Sequence, residues 1–138
     1  MNTAPESSFQ FTNFRVTESH LILPETGNDE LTLAIIPSGV VRVAENRFDL
    51  QLIFDATAPS GESVIKVVSV SQFKYEGIDD IATTPYFVQN APAIAFPYIR
   101  AYIGALTTLS GAPPILLPTL NLSSQADLLR QNIIVFDK

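Results

Sequence analysis

The chain has 138 residues, enough for a real hydrophobic core, and we predict a single domain over residues 1–138. Hydrophobic residues make up 46% and charged residues 16% of the chain, and this apolar surplus predicts oligomerisation, capture of an apolar ligand, or both. A formal net charge of −6 with only scattered Lys and Arg argues against nucleic-acid binding, and the absence of Cys excludes disulfides and thiol catalysis.

The N-terminal segment Met1–Ser8 is short, polar and acidic, without the basic start and apolar stretch of a secretion signal. We therefore expect a cytoplasmic protein. One later segment, Ala91–Ser110, approaches the length of a membrane span and carries a single charge, Arg100. Because Pro92, Pro97 and the central Arg100 are costly in a membrane, we expect a buried helix there and no membrane insertion.

The first half of the chain is predicted to form four strands. Phe9–Leu23 is rich in aromatic and β-branched residues, and Leu31–Ile35 alternates apolar with small or polar residues until it stops near Pro37. Phe48–Ala56 shows the clearest alternation, typical of a half-buried strand. Val64–Tyr75 follows after a short turn, so the four strands are expected to form an antiparallel meander.

A long helix is predicted next, over Ile94–Leu109. Pro92 and Pro97 are tolerated if the first helical turn falls among them, and Gly111 is a natural C-terminal stop. Apolar residues cover most of its circumference, whereas the sheet can cover only one side. A second subunit is therefore the expected cover for the rest.

The next segment, Ala112–Leu122, is apolar and contains three prolines, which exclude a helix. An extended apolar segment of this kind is expected to pack over another part of the protein. A last short helix is predicted to be capped by Ser123 or Ser124 and to run through Gln131.

No pattern of catalytic or metal-binding residues is present. His20 is the only histidine, and Asp79 and Asp80 lack the ligand spacing of a calcium loop. The sequence has neither a Gly-x-Ser-x-Gly elbow nor a phosphate-binding glycine loop. We therefore expect a protein that is not an enzyme and that binds no metal or cofactor.

Three carboxylates, Glu18, Asp49 and Asp55, are predicted to lie on the polar face of the sheet. Such a face could dock a basic partner, or it could simply keep the subunit soluble. The charges alone leave both interpretations open.

The stretch from Pro92 to Arg100 reads Pro-x-Ile-x-Phe-Pro-Tyr-x-Arg. This pattern resembles the start of the long helix in SecB, a family of protein-export chaperones. The apolar segment Gly111–Leu122, with its prolines, its leucines and Asn121, is similar to the crossover segment that follows in that family. The order of elements matches over the whole chain, and the likeness is specific from Asn90 to Leu122.

The resemblance implies an α+β fold: a four-stranded antiparallel sheet packed against a long helix, followed by a proline-rich crossover segment and a short C-terminal helix. It also implies a homotetramer, a dimer of dimers with the long helices at its centre. The residues that we expect in this interface are Phe96, Ile99, Tyr102, Ile103 and Leu106.

The function implied by the resemblance is that of an ATP-independent holdase chaperone, which binds unfolded preproteins in apolar grooves and passes them to the SecA motor for export. The residues expected to line the groove are Leu31, Leu33, Ile35, Leu116, Leu117, Leu120 and Leu122. Glu18 matches an acidic position on the family's motor-docking face. Lys66 stands where that face has another carboxylate, and this reversed charge argues against the family's usual docking.

Three alternatives remain open from the sequence. The chain could be a dedicated SecB-like chaperone for a single client such as an antitoxin, a binder of a small hydrophobic ligand in the same groove, or a structural oligomer whose apolar surplus is all interface.

Overall fold

The computed structural model describes residues 8–22, 30–78, 80, 85–112, 115, 117 and 121–136. Within these residues the chain folds into one sheet, one long helix, one short helix and a single 3-10 turn at Val43–Glu45, an α+β arrangement. The strands are β1 (Ser8–Leu21), β2 (Thr32–Arg42), β3 (Arg47–Thr57), β4 (Ser63–Glu76) and β5 (Ile133–Phe136), and the helices are α1 (Pro85–Leu109) and α2 (Leu122–Arg130).

The sheet described by the structure has five strands in the order β1-β4-β3-β2-β5. The first four pair antiparallel, as predicted, whereas β5 lies parallel to β2. The prediction of a four-stranded sheet is therefore wrong in strand number. The predicted meander is wrong as well, because β1 lies beside β4 and not beside β2, so the connection from β1 to β2 crosses from one side of the sheet to the other. The β-branched run Ile133–Phe136 adds the fifth strand, because a two-residue turn after α2 brings it to the edge of β2.

Strand β2 continues past Pro37 to Arg42, although the sequence predicted a stop near this proline. The main-chain N–H of Gly39 points away from β3, since it donates to Asn132 O at 2.9 Å. Pro37 lies two residues earlier and its main chain faces the same way. Its missing N–H therefore removes no bond from the β2–β3 ladder, and the strand tolerates it.

Strand β1 contains two bulges, which shift its register against β4. The bulge residues Thr12 and Thr17 donate their side-chain hydroxyls to main-chain carbonyl oxygens of β4 at 3.1 Å and 3.3 Å. Each bulge adds one residue, so Phe11 and Phe14, three positions apart, pack on the same core-facing side.

The hydrophobic core lies between α1 and the inner face of the sheet. Every apolar residue of the predicted alternation in β3 is buried, and the residues between them are half-buried. The largest fully buried side chains include Phe48, Phe54 and Phe73 from the sheet and Ile99 and Ile103 from α1. Thus the strand with the clearest sequence pattern forms the centre of the core.

Helix α1 begins at Pro85, well before the predicted start near Ile94, so Pro92 and Pro97 lie inside the helix. Each proline deprives the helix of one main-chain hydrogen bond. The early turns nevertheless form, because Phe87 and Ala91 are buried in the core and tertiary packing supplies most of the stability of such helices.

The end of α1 confirms the predicted stop at Gly111. This residue has a φ of +81°, and its N–H donates to Thr108 O at 3.2 Å. The next N–H, of Ala112, donates to Thr107 O at 3.0 Å. The pair of bonds is a Schellman motif, in which glycine adopts the left-handed conformation at little cost.

The N-terminal cap of α2 is Asn121, whose side-chain oxygen accepts the N–H of Ser124 at 3.0 Å. The predicted caps, Ser123 and Ser124, lie inside the helix. Asn is as strong an N-cap as Ser, so composition alone could not distinguish the two starts.

Candidate binding groove

One wall of the candidate groove is the inner face of β2 near its start. Leu31, Leu33 and Ile35 are half-buried and pack against the core, while Thr32 and Ala34 between them are exposed. These three predicted groove residues therefore keep apolar surface outside the core.

The second wall is predicted from the segment before α2, of which the structure describes a part. Ile115 and Leu117 are half-buried and pack against the same core cluster as Leu33 and Ile35. Of the other predicted wall residues, Leu116 and Leu120 lie outside the described residues. Leu122 is the first residue of α2, and its side chain is also outside the described part.

The far end of this surface is closed by close packing of α2 on β2. Gly39 is buried, and a Cβ atom there would lie 2.6 Å from Phe48 Cε1 and 3.4 Å from Leu129 Cδ1. A glycine at this position therefore lets the Phe48 ring and the Leu129 side chain meet over β2.

Gln125 of α2 is the polar residue at this surface that the sequence analysis missed. Its side chain is only 7% exposed, and Nε2 donates to the main-chain oxygen of Ile35 at 3.1 Å. Its Oε1 atom is buried and has no hydrogen-bond partner among the residues that the structure describes. Helical spacing could have revealed this residue, because Gln125 precedes the buried Leu129 by about one turn and so lies on the buried face of α2.

On the outer face of the sheet, the structure brings together the two predicted docking residues. Lys66 Nζ lies 3.5 Å from Glu18 Oε2, and His20 Nε2 lies 3.8 Å from Glu18 Oε1. These side chains are 42–65% exposed, so the contacts contribute little to stability. The Lys66 ammonium does neutralise the carboxylate that was expected to face a basic partner.

The other two carboxylates of this face are also engaged. Asp49 lies 3.1 Å from Arg47 Nε and 3.5 Å from Arg42 Nε, and Asp55 accepts the hydroxyl of Ser63 at 2.9 Å. Asp49 is therefore paired with two arginines, whereas Asp55 is hydrogen-bonded to a neutral hydroxyl and keeps its negative charge on this face.

Helix α1 has a buried side and an exposed side. Phe96, Ile99 and Ile103, which were predicted to form a subunit interface, are 6%, 0% and 0% exposed in the single chain. Their side chains belong to the core of the subunit itself and are not available to a partner. Tyr102 and Leu106 are half-buried beside this core.

The exposed side of the second half of α1 includes four small residues, Ala101, Gly104, Ala105 and Thr108, and ends at Leu109, which is 86% exposed. Arg100 is a charged residue of this helix. Its side chain is exposed, and its guanidinium carbon Cζ lies 4.9 Å from the centroid of the Phe96 ring, a cation–π contact.

Comparison with known proteins identifies the family. Residues 13–128 match the family model described as preprotein translocase subunit SecB. This chain belongs to the SecB family. The identification confirms the resemblance drawn from the pattern at Pro92–Arg100.

Two relatives, both named protein-export protein SecB, illustrate the similarity to this SecB-family chain. The protein of Xylella fastidiosa is 32% identical over 123 residues, which cover 86% of this chain and 71% of the relative. That of Stenotrophomonas maltophilia is 33% identical over 96 residues, covering 67% of this chain and 56% of the relative.

Two solved structures share the fold. A SecB-like chaperone of Mycobacterium tuberculosis, solved in complex with a peptide from an antitoxin, has a TM-score of 0.65 at 20% identity and covers 82% of this chain and 88% of its own. A Streptococcus agalactiae protein of unknown function has a TM-score of 0.51 at 13% identity, with 83% and 100% covered.

Within the described parts of this SecB-family chain, no helix is long and apolar enough to cross a membrane. No group of three or more His, Cys, Asp or Glu in the same residues could hold a metal ion. Burial raises the pKa of the Tyr75 phenol above its ordinary value of 10.0, and Tyr75 lies in the core away from the groove.

Proposed function

We propose that this chain is an ATP-independent holdase chaperone that keeps polypeptides unfolded for export, acts in the cytoplasm and uses no metal or nucleotide. The observation that carries the proposal is the half-buried apolar surface of Leu31, Leu33 and Ile35, with Leu117 packed against the same core. Membership of the SecB family, with relatives named for protein export, supports it.

The chemistry of this surface suits a client that is extended and apolar. Aliphatic side chains such as Leu33 and Ile35 grip apolar segments without reading their sequence, so unrelated unfolded chains fit the same groove. Burying a client segment there removes it from intermolecular contacts and thereby opposes aggregation. Hydrophobic capture of this kind needs no nucleotide, because binding is driven by area removed from water.

We also propose a homotetramer, a dimer of dimers, in which the exposed side of α1 meets the same helix of another subunit. Ala101, Gly104 and Ala105 support this arrangement, because small side chains let two helices approach closely. Tyr102 and Leu106 flank this side and retain part of their surface for such a contact.

The groove is tested with two double variants on the same strand. Leu33→Thr with Ile35→Thr makes the groove wall polar, whereas Ile36→Thr with Val40→Thr makes the same change on the opposite face. Threonine keeps the strand propensity in both variants. The measurement is suppression of aggregation of two unrelated, chemically denatured proteins without ATP.

We expect the groove variant to require several-fold more protein for the same suppression, and the outer-face variant to behave as the unmodified chain. Far-UV circular dichroism and thermal unfolding establish that both variants fold. Equal suppression by both folded variants would contradict the proposed groove.

A second candidate, a dedicated chaperone for one client such as an antitoxin, is favoured by the Lys66–Glu18 ion pair at 3.5 Å. This pair neutralises a carboxylate of the expected motor-docking face. In this version the unmodified chain binds SecA weakly, and Lys66→Glu strengthens that binding. Tight SecA binding by the unmodified chain, unchanged by Lys66→Glu, would favour the general export chaperone instead.

A further inference from the structure

We propose that the free edge of β5 is an interface between copies of this chain, in which two β5 strands pair antiparallel around a two-fold axis at Ile134 and join two sheets into one. The inference goes beyond the proposed chaperone function, because it concerns neither the groove nor the exposed side of α1. The edge has one occupant, which is the β5 strand of a second copy.

The outer edge of β5 presents main-chain hydrogen-bonding groups. Strand β5 is the last strand in the sheet order, so no strand of the described residues lies on its outer side. Asn132 O accepts the N–H of Gly39 at 2.9 Å, so the main chain of Asn132 faces β2. Because the main-chain groups of successive residues alternate in direction along a strand, the N–H and C=O groups of Ile133 and Val135 face away from β2, toward the free edge.

The sequence of β5 lacks the features that keep edge strands from pairing. Natural edge strands are protected by charged side chains, prolines or β-bulges. Ile133–Phe136 contains no charge and no proline, and its register against β2 is continuous. The side chains of Ile134, Val135 and Phe136 are 59%, 46% and 47% exposed, so the rest of the described chain leaves the strand accessible. An apolar, regular and accessible edge is a template for a further strand.

The strand is complementary to itself. In an antiparallel pair with its two-fold axis at Ile134, Ile133 of one copy lies opposite Val135 of the other, and each such pair exchanges two main-chain hydrogen bonds. Ile134 then lies opposite Ile134 of the second copy, with about 4.5 Å between the Cα atoms. Apolar side chains therefore meet apolar side chains on both faces of the joined sheet.

The charges around β5 support a second copy as the occupant. The chain has a net charge of −6, so two copies repel each other wherever unpaired carboxylates meet. The described charges next to the strand are paired, since Arg42 lies 3.5 Å from Asp49 and Arg130 lies 3.2 Å from Asp127. The edge of β5 therefore lets two acidic chains approach without placing like charges opposite each other at the axis.

Association through a single pair of β5 edges is expected to be weak. Strand β5 has 4 residues, far fewer than the roughly 20–30 residues that each partner contributes to a stable interface. An oligomer that carries several β5 edges binds another oligomer more tightly, because the second contact is made at a high effective concentration. We therefore expect the mass of the assembly to grow with protein concentration.

The test changes the charge at the proposed axis. Ile134→Lys places two ammonium groups opposite each other and Ile134→Glu places two carboxylates there, whereas an equimolar mixture of the two variants pairs an ammonium with a carboxylate. Ile134 is 59% exposed, so neither change disturbs the core, and far-UV circular dichroism with thermal unfolding establishes that both variants fold. Ser123→Lys, at an exposed position of α2, is the control. The measurement is the weight-average mass by analytical ultracentrifugation, without client, from about 1 to about 200 μM protein.

We expect the mass of the unmodified chain and of Ser123→Lys to rise with concentration. Each Ile134 variant alone should need at least about tenfold more protein for the same rise, because it loses an apolar contact and gains a repulsion between like charges. The equimolar mixture should recover association to within about threefold of the unmodified chain.

Three results would overturn the proposal. The first is a mass of the unmodified chain that does not depend on concentration, which would leave the edge to a strand of another protein. The second is a rise in mass that Ile134→Lys leaves unchanged. The third is a mixture that associates no better than the separate variants, since only pairing centred on Ile134 brings the two introduced charges together. None of these results bears on the chaperone proposal, because no client is present.

Amide hydrogen exchange at single-residue resolution gives a second measurement. The N–H groups of Ile133 and Val135 face the free edge, so their exchange should slow as the protein concentration rises. The N–H groups of Ile134 and Phe136 face β2 and should change less. Ile134→Lys should remove the concentration dependence. Equal slowing at all four residues would overturn pairing through the main chain of β5.

Discussion

Replacement of Gly39 by Ala tests the packing of α2 on β2 that positions Gln125 and β5. The new methyl group would lie 2.6 Å and 2.8 Å from two ring carbons of Phe48, closer than van der Waals contact allows. Phe48 is 2% and Leu129 0% exposed, so neither side chain can move toward solvent. The Gly39 N–H also bonds to Asn132 O, so a backbone shift would strain β5.

Overpacking of a core costs about 1–3 kcal/mol, and the fixed neighbours place Gly39→Ala in the upper half of that range. In urea unfolding followed by circular dichroism, with a slope of about 1–3 kcal/mol per molar, the midpoint should fall by roughly 1 M. Ser123→Ala, at an exposed position of α2, is the control and should change the unfolding free energy by less than about 0.5 kcal/mol.

A double variant identifies the cause. Gly39→Ala combined with Phe48→Leu should cost less than the sum of the two single changes, because the smaller side chain relieves the overlap with the new methyl group. An unfolding free energy of Gly39→Ala within about 0.5 kcal/mol of the unmodified chain, the range of neutral surface changes, would refute this account of the packing.

Three further predictions concern the cap, the proposed interface and the buried phenol. Asn121→Ala should lower the unfolding free energy by about 1 kcal/mol through loss of the α2 cap, whereas Ser123→Ala, at an exposed position inside the helix, should change it little. A larger loss of stability in Ser123→Ala than in Asn121→Ala, measured by urea unfolding, would support Ser123 as the cap. Ala101→Glu should convert the proposed tetramer into smaller species, measured by light scattering, with Ser123→Glu as the control; an unchanged mass would place the interface elsewhere. Burial raises the pKa of Tyr75 above 10.0, so the phenol ionises at lower pH in the unfolded chain than in the folded one. The stability from this group is complete below pH 10 and is lost as the pH rises further, so the unfolding free energy of Tyr75→Phe should fall less steeply at alkaline pH. Identical pH profiles of the unfolding free energy would contradict this.

The parts of the fold that the sequence predicted are those with a regular local pattern. The alternation over Phe48–Ala56 identified the central strand and its buried face, and Gly111 marked the end of α1. The start of α1 and the length of β2 were missed at prolines, because a proline excludes local geometry only where its N–H would be needed. At Pro37 that need is absent, since its main chain faces away from β3.

Strand β5 was missed for a different reason. Ile133–Phe136 is only four residues long, and its pairing with Gly39–Arg42 joins segments far apart in sequence. Short apolar runs carry no periodicity that separates strand from helix. The strand with which Ile133–Phe136 pairs is determined by where α2 ends in the fold, and the sequence does not show that position.

The sequence predicted the apolar residues of the candidate groove but not its polar atoms. Alternation placed Leu33 and Ile35 on one face of a strand, and the resemblance to SecB implied their groove role, which stays a prediction. Gln125 depends on the packing of α2 across the edge of β2. The sequence identified the charged residues of the outer face, but the pairing of Glu18 with Lys66 depends on the register of β1 and on its bulges. Which side chains meet across a sheet is set by strand register, and composition does not reveal the register.

The central claim, that unfolded clients are held along β2, is tested most directly by amide hydrogen exchange of the chain with and without a permanently unfolded client. The client is a reduced and alkylated protein, and its native, folded form is the control. We predict that the unfolded form alone slows exchange in residues 31–38, because the client covers the groove along β2. Binding of the unfolded client without protection of residues 31–38, or equal protection by the folded form, would contradict the claim.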